Sequence, residues 1–151
     1  MLQDYELVPE TIIRSHSFAG LITLYESNYL RLLQLVPELR RLTGCYHSSV
    51  AGDLDLHVEI LDRSRYTVTL SLSHHFLENG VHVAEPDMRI RVYFDGQLAE
   101  AMSFAGEHRH LELRRLRRDH RHELDDRWRR NTVLNKWLDY LIDSEHLVFE
   151  C

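Results

Sequence analysis

The chain has 151 residues, 44% of them hydrophobic and 28% charged, with a formal net charge of −6. These values suit one globular domain with an ordinary core and are far from the low-hydrophobicity signature of disorder. The acidic balance excludes a general affinity for nucleic acid or anionic lipid, so any such binding has to come from a local patch. Cys45 and Cys151 are the only cysteines, which indicates neither a disulfide framework nor a cysteine zinc site. No run of about 18 apolar residues occurs, and the opening MLQDYELVPE is acidic where a signal peptide is basic and then apolar. The expectation is a cytoplasmic protein with no membrane partner.

Residues 1–16 read as an N-terminal arm containing Pro9, and residues 17–151 as a single α+β domain, with no repeat or linker to divide it. In SFAGLITLYESNYLRLLQLVPELR, Leu21, Leu24, Tyr25, Leu32 and Leu35 recur at helical spacing and Pro37 follows. This predicts a helix over 18–35. The period then changes to two. Leu54, Leu56, Val58 and Ile60 alternate with Asp55, His57 and Glu59, and Tyr66, Val68, Leu70 and Leu72 alternate with Thr67, Thr69, Ser71 and Ser73; both read as half-buried strands. Met88, Ile90, Val92 and Phe94 alternate with Arg89, Arg91 and Tyr93, and Asp95-Gly96 precedes a further run. That dipeptide predicts a two-residue type I′ turn joining 88–94 to 97–104. Helical period returns through Leu134, Trp137, Leu138, Leu141 and Ile142. The predicted fold is a single antiparallel sheet, a meander with a hairpin, packed on one face by an N-terminal and a C-terminal helix. Its expected core includes Leu24, Val68, Leu70, Val92, Trp137 and Leu138.

The runs NYLRLLQLVP, RYTVTLSLS, PDMRIRVYFDGQLAEA and LNKWLDYL, in that order and spacing, resemble the YqiB-like family of uncharacterised proteobacterial proteins. The resemblance covers most of residues 24–142. It implies a cytoplasmic protein of unknown function whose gene often lies near enzymes of nucleotide metabolism. The arginine-rich stretch before the last helix departs from the family pattern, so the resemblance implies no role for it.

That stretch, HRHLELRRLRRDHRHELDDRWRR at 108–130, holds nine of seventeen arginines. From Glu123 onward, acids precede arginines by four residues, Glu123 with Arg127, Asp125 with Arg129 and Asp126 with Arg130. On a helix this is a favourable solvated pattern, with Leu124 and Trp128 marking the buried stripe and Asp119 as the expected N-cap. The first half lacks matching acids, and Arg114, Arg117 and Arg118 concentrate charge there. Guanidinium forks take phosphate or carboxylate bidentately, so these three point to a small anion or an acidic protein surface. The competing reading is a patch paired with the chain's own carboxylates. Specific nucleic-acid binding is not expected, because no reading motif is present and Lys136 is the one lysine.

His108, His110 and Glu112 would share a strand face, a possible metal set, with a merely polar face as the alternative. Adjacent His74 and His75 would face opposite sides of a strand and so would not share an ion. No cofactor is indicated, and Cys45, two residues from His47, reads as buried or incidental. Arg65, Arg89, Arg91 and Tyr93 mark a second candidate surface on the sheet face away from the core. No phosphate loop, nucleophile elbow or zinc-protease helix occurs. The sequence therefore points to a binding or regulatory module for a phosphate-bearing ligand or acidic partner. The alternative is a hydrolase or transferase acting on a nucleotide-like substrate through clustered arginines.

Overall fold

A computed structural model of the chain describes residues 17–104, 120–146, 149 and 150. In chain order these form α1 (Phe18–Leu35), β1 (Cys45–Ser48), β2 (Asp55–Arg63), β3 (Thr67–Glu78), β4 (Val81–Tyr93), β5 (Leu98–Phe104), α2 (His120–Asp143) and β6 (Phe149–Glu150). The strands make one antiparallel sheet in the order β5-β4-β3-β2-β1-β6. Two helices and one open antiparallel sheet confirm the α+β expectation.

Alternation decides which face is covered. Leu56, Val58, Val68, Leu70, Leu72, Met88, Ile90 and Val92 are buried together with Leu32, Leu35, Leu134, Leu138 and Leu141 of the helices. Trp137 and Leu138 join this core as expected, whereas Leu24 is only partly buried and packs in a smaller cluster with Leu21, Tyr25 and Trp128. Leu54 and Tyr66 are exposed because they lie just outside β2 and β3. Side chains there are not held by the pleat.

The helix ends follow their sequence signals. Ser17 caps α1 by accepting the Gly20 N–H at 3.0 Å. Beyond Pro37, the Arg63 guanidinium donates to the carbonyls of Leu39, Arg40 and Leu42, supplying donors where the chain turns away from helix. Between the helices lies a polar seam. Asn28 and Asn131 are fully buried. Asn135 Nδ2 donates to Ser27 Oγ and Asn28 Oδ1, and Asn28 Nδ2 donates to Asn131 Oδ1. Arg31 meets Asp139 at 2.7 Å. Asn131 Oδ1 also accepts the Ala101 N–H of β5 at 2.7 Å, so one side chain joins both helices to the sheet.

Two turns differ from expectation. The hairpin predicted at Asp95-Gly96 exists, but Tyr93 pairs with Leu98 and the loop has four residues, with Gln97 rather than Gly96 at positive φ. Phe94 is the cause. It is buried edge-on against Tyr29, with its N–H held by Tyr66 O on the β3 side, so pairing with β5 stops at Tyr93 before the turn begins. The two-residue turn is instead Asn79-Gly80, at φ 52° and 78°, between the paired Glu78 and Val81. Asn-Gly accepts positive φ at both positions, which is what a type I′ turn demands. In α2, Asp126 is buried rather than solvated, and Arg129, three residues on, bonds to it at 2.7 Å.

Candidate functional site

Residues of opposite parity to the core form the open face of the sheet; among the described residues both helices pack on the other side. One cross-strand row runs His47, His57, Ser73, Asp87, and the next runs Cys45, Glu59, Ser71, Arg89. A third aligns Thr69, Arg91 and Glu100. The register shift after Ser73 then reverses the parity of the first half of β4 and carries His82 onto this face beside His75. The His57 and His75 rings stack at 3.8 Å between centroids, and His75 Nδ1 lies 2.6 Å from His82 Nε2. Four imidazoles therefore cross four adjacent strands. Cys45, read as buried or incidental, is exposed at the end of this face.

Arg89 is exposed and Arg91 half-buried on that face, with the Arg91 Nε 3.4 Å from Thr69 Oγ1. The Tyr93 hydroxyl donates to Glu100 at 2.8 Å, and burial followed by this carboxylate raises its pKa. Arg65 stands apart at the β2–β3 turn, its guanidinium over the Tyr66 ring. The structure thus brings Arg89, Arg91 and Tyr93 together. Arg114, Arg117 and Arg118, together with His108, His110, Glu112 and Asp119, lie outside the described residues, as does the N-terminal arm.

On the covered side a second cluster was not anticipated. His74 continues the core parity of Val68, Leu70 and Leu72, and it converges with Asp53 of the β1–β2 loop and His146 beyond α2. Asp53 Oδ2 is 2.8 Å from His146 Nε2 and 4.0 Å from His74 Nε2. Asp53 Oδ1 accepts the Leu54 N–H at 2.8 Å and the Tyr140 hydroxyl at 2.9 Å, and His146 Nδ1 lies 2.9 Å from Ser48 Oγ. Burial works against the Asp53 charge, but bonds from His146, Leu54 and Tyr140 outweigh it and hold the carboxyl below its ordinary value of 3.8. Burial lowers His74, against the pull of Asp53.

Residues 31–147 match a family described as a protein of unknown function, DUF1249. The chain belongs to the DUF1249 family. No curated protein and no solved structure matches it. The DUF1249 match includes the whole Asp53–His74–His146 cluster and the open-face arginines, while the start of α1 precedes it. No described helix of this DUF1249 protein is long and apolar enough to cross a membrane.

One sequence signal marked the buried cluster: a histidine, His74, at the fourth core-facing position of β3, after Val68, Leu70 and Leu72. Asp53 and His146 carried none, being held in a loop and after a helix stop. Gly52 takes a φ of 86° to close that loop. Glu145 takes a φ of 65°, with Glu145 N–H bonded to Ile142 O and His146 N–H to Leu141 O. This is a Schellman stop, and it turns His146 back toward the sheet.

The imidazoles give the DUF1249 protein an acid-sensitive stability. His57 is lowered by burial and then by His47 and His82, against Asp55; His75 is lowered by burial and then by His57 and His82, against Asp87 and Asp55. With folded-state pKa values below the unfolded value of about 6.5, the unfolded chain binds more protons. Stability is complete above that value and declines as pH falls through the folded ones. In chelator-treated protein the melting temperature is expected to drop as pH falls below about 6.5, with Asp53 adding a loss below its ordinary 3.8. A flat melting temperature between pH 8 and 5 would refute this.

Proposed function

We propose that the protein is a binding module, without catalysis of its own, that takes a small phosphate-bearing anion on its open sheet face. The observation that carries this reading is the pair Arg89 and Arg91, two residues apart on one strand of the face that neither helix covers. Residues so placed are about 6–7 Å apart, a span two guanidinium forks bridge on a diphosphate. Tyr93 supports the pair by holding Glu100, and Arg65, which stands apart over Tyr66, is a separate candidate contact. Arg114, Arg117 and Arg118 belong to the proposal as further candidate contacts for a phosphate-bearing ligand or an acidic partner. The hydrolase or transferase reading needs arginines converging in a pocket on a reactive group, whereas Arg89 and Arg91 lie along one pleated strand. The same proposal takes the protein as YqiB-like, proteobacterial and cytoplasmic, which is what the resemblance of residues 24–142 implies.

Thermal melts with inorganic pyrophosphate test the reading. At one hundred times Kd a ligand stabilises by about 2.7 kcal/mol, a rise of roughly 5–10 °C for a chain of this size. Arg89→Gln with Arg91→Gln is expected to abolish the rise, and so is the triple change of Arg114, Arg117 and Arg118 to glutamine, with both proteins still folded. No response of the unsubstituted protein, or an unchanged response after the Arg89 and Arg91 changes, overturns it. A response to polyglutamate alone assigns the face to an acidic protein surface instead.

A further inference from the structure

We infer that Asp53, His74 and His146 form a binding site for a divalent first-row transition metal, independent of the anion reading because it lies on the covered side of the sheet. One donor atom from each residue lies within 4.8 Å of the other two. Two imidazoles and a carboxylate are the donor set of zinc and ferrous sites that retain an open position; magnesium and calcium ask for oxygen ligands throughout.

The atoms around the three donors are arranged as supports. Both bonds to the Asp53 carboxylate from Leu54 and Tyr140 fall on Oδ1, which leaves Oδ2 turned to the imidazoles. His146 uses Nδ1 toward Ser48 Oγ, which leaves Nε2 turned to Asp53. A second ring nitrogen engaged by a hydrogen-bond partner is the usual condition of a metal-bound histidine, since it fixes the ring and its tautomer. The His74 ring is held edge-on by Trp137 at 5.4 Å and Tyr140 at 6.4 Å between centroids.

His74 supplies the independent observation. Its side chain is 7% exposed, and its Nε2 has no hydrogen-bond partner although it faces Asp53 Oδ2. At 4.0 Å that approach is too long for a hydrogen bond. A buried nitrogen without a partner is disfavoured, and an ion between the three residues would supply one. With bonds of about 2.0–2.2 Å, tetrahedral donors lie roughly 3.3–3.6 Å apart. The distances of 2.8 and 4.0 Å from Asp53 Oδ2 straddle that value. Without metal the same groups would be a hydrogen-bonded clamp, Ser48 to His146 to Asp53, that ties the loop to the end of α2. A clamp has no use for His74.

Zinc binding to the full chain is measured by equilibrium dialysis with elemental analysis. The background carries His47→Gln, His57→Gln, His75→Gln and His82→Gln, which removes the open-face imidazoles that would hold zinc by themselves. One equivalent is expected, with Asp53→Asn and His74→Ala each weakening it at least 100-fold. Ser48→Ala and Tyr140→Phe, which touch only the supports, are expected to weaken it about 10–100-fold. Because those variants can lose structure, cobalt is titrated into the otherwise unsubstituted background protein. A visible d–d spectrum of a low-symmetry site, displaced by zinc, supports the site. Displacement of cobalt by ferrous iron under anaerobic conditions, but not by zinc, assigns iron as the resident ion. Absence of stoichiometric cobalt or zinc overturns the proposal. So does binding that survives Asp53→Asn and His74→Ala in folded protein, or that is lost instead on His108→Gln with His110→Gln.

Discussion

Leu138→Ala is expected to destabilise the protein by about 2–5 kcal/mol. Leu138 is fully buried in the main core, one turn after Leu134 and just before Leu141 on the face of α2 that covers the sheet. Truncation removes the transfer free energy of the lost carbons and leaves a cavity, because a dense interior relaxes only in part. Against a typical total of about 5–15 kcal/mol, the loss is large. Urea unfolding reads it as a lower midpoint with an unchanged slope. Leu30→Ala, at a position 65% exposed on α1, is the control and should stay within about 0.5 kcal/mol. Equal midpoints for the two variants would mean that the stripe on α2 does not bear on the sheet.

Asn131→Ala is the second large effect, and its cause is polar. The Asn131 side chain serves three partners: it accepts from the Ala101 N–H and from Asn28 Nδ2, and it donates to Arg127 O. Each buried group left without a partner costs about 1–3 kcal/mol; the Ala101 N–H loses its bond to Asn131 Oδ1, while Asn28 Nδ2 keeps only its longer bond to the Asn131 backbone carbonyl at 3.5 Å. Because Asn28 and Asn131 share one network, the Asn28→Ala and Asn131→Ala effects should fall well short of additive in a double-mutant cycle. Additive effects, or a single-variant loss under about 0.5 kcal/mol, would show that water replaces the side chain.

Much of the fold was legible. The α1 bounds followed from the spacing of Leu21, Tyr25, Leu32 and Leu35 and from Pro37, and β3 followed from Val68, Leu70 and Leu72. The hairpin was placed at the weaker dipeptide. Asp95-Gly96 is open to a two-residue turn, but burial of Phe94 against Tyr29 overrides it, while Asn79-Gly80 had no such competitor. β1 and β6 were not foreseen, since a four-residue and a two-residue strand carry too few alternations to register.

Of the candidate surfaces, Arg89, Arg91 and Tyr93 were readable because a strand puts every second residue on one face, and that rule needs no knowledge of the partner strand. The placement of His82 beside His75 was not, because it depends on a register shift between two strands. The same division separates everything the sequence alone determined here from what only the tertiary structure decided. Helix and strand, buried and open face, and the opposite orientation of His74 and His75 follow from the period of neighbouring residues, a local property of the backbone. The meeting of Asp53 with His146, ninety-three positions apart, has no local period. It arises because β2–β3 pairing puts His74 beneath α2, while a positive-φ helix stop and a glycine-closed loop bring two further side chains to the same point.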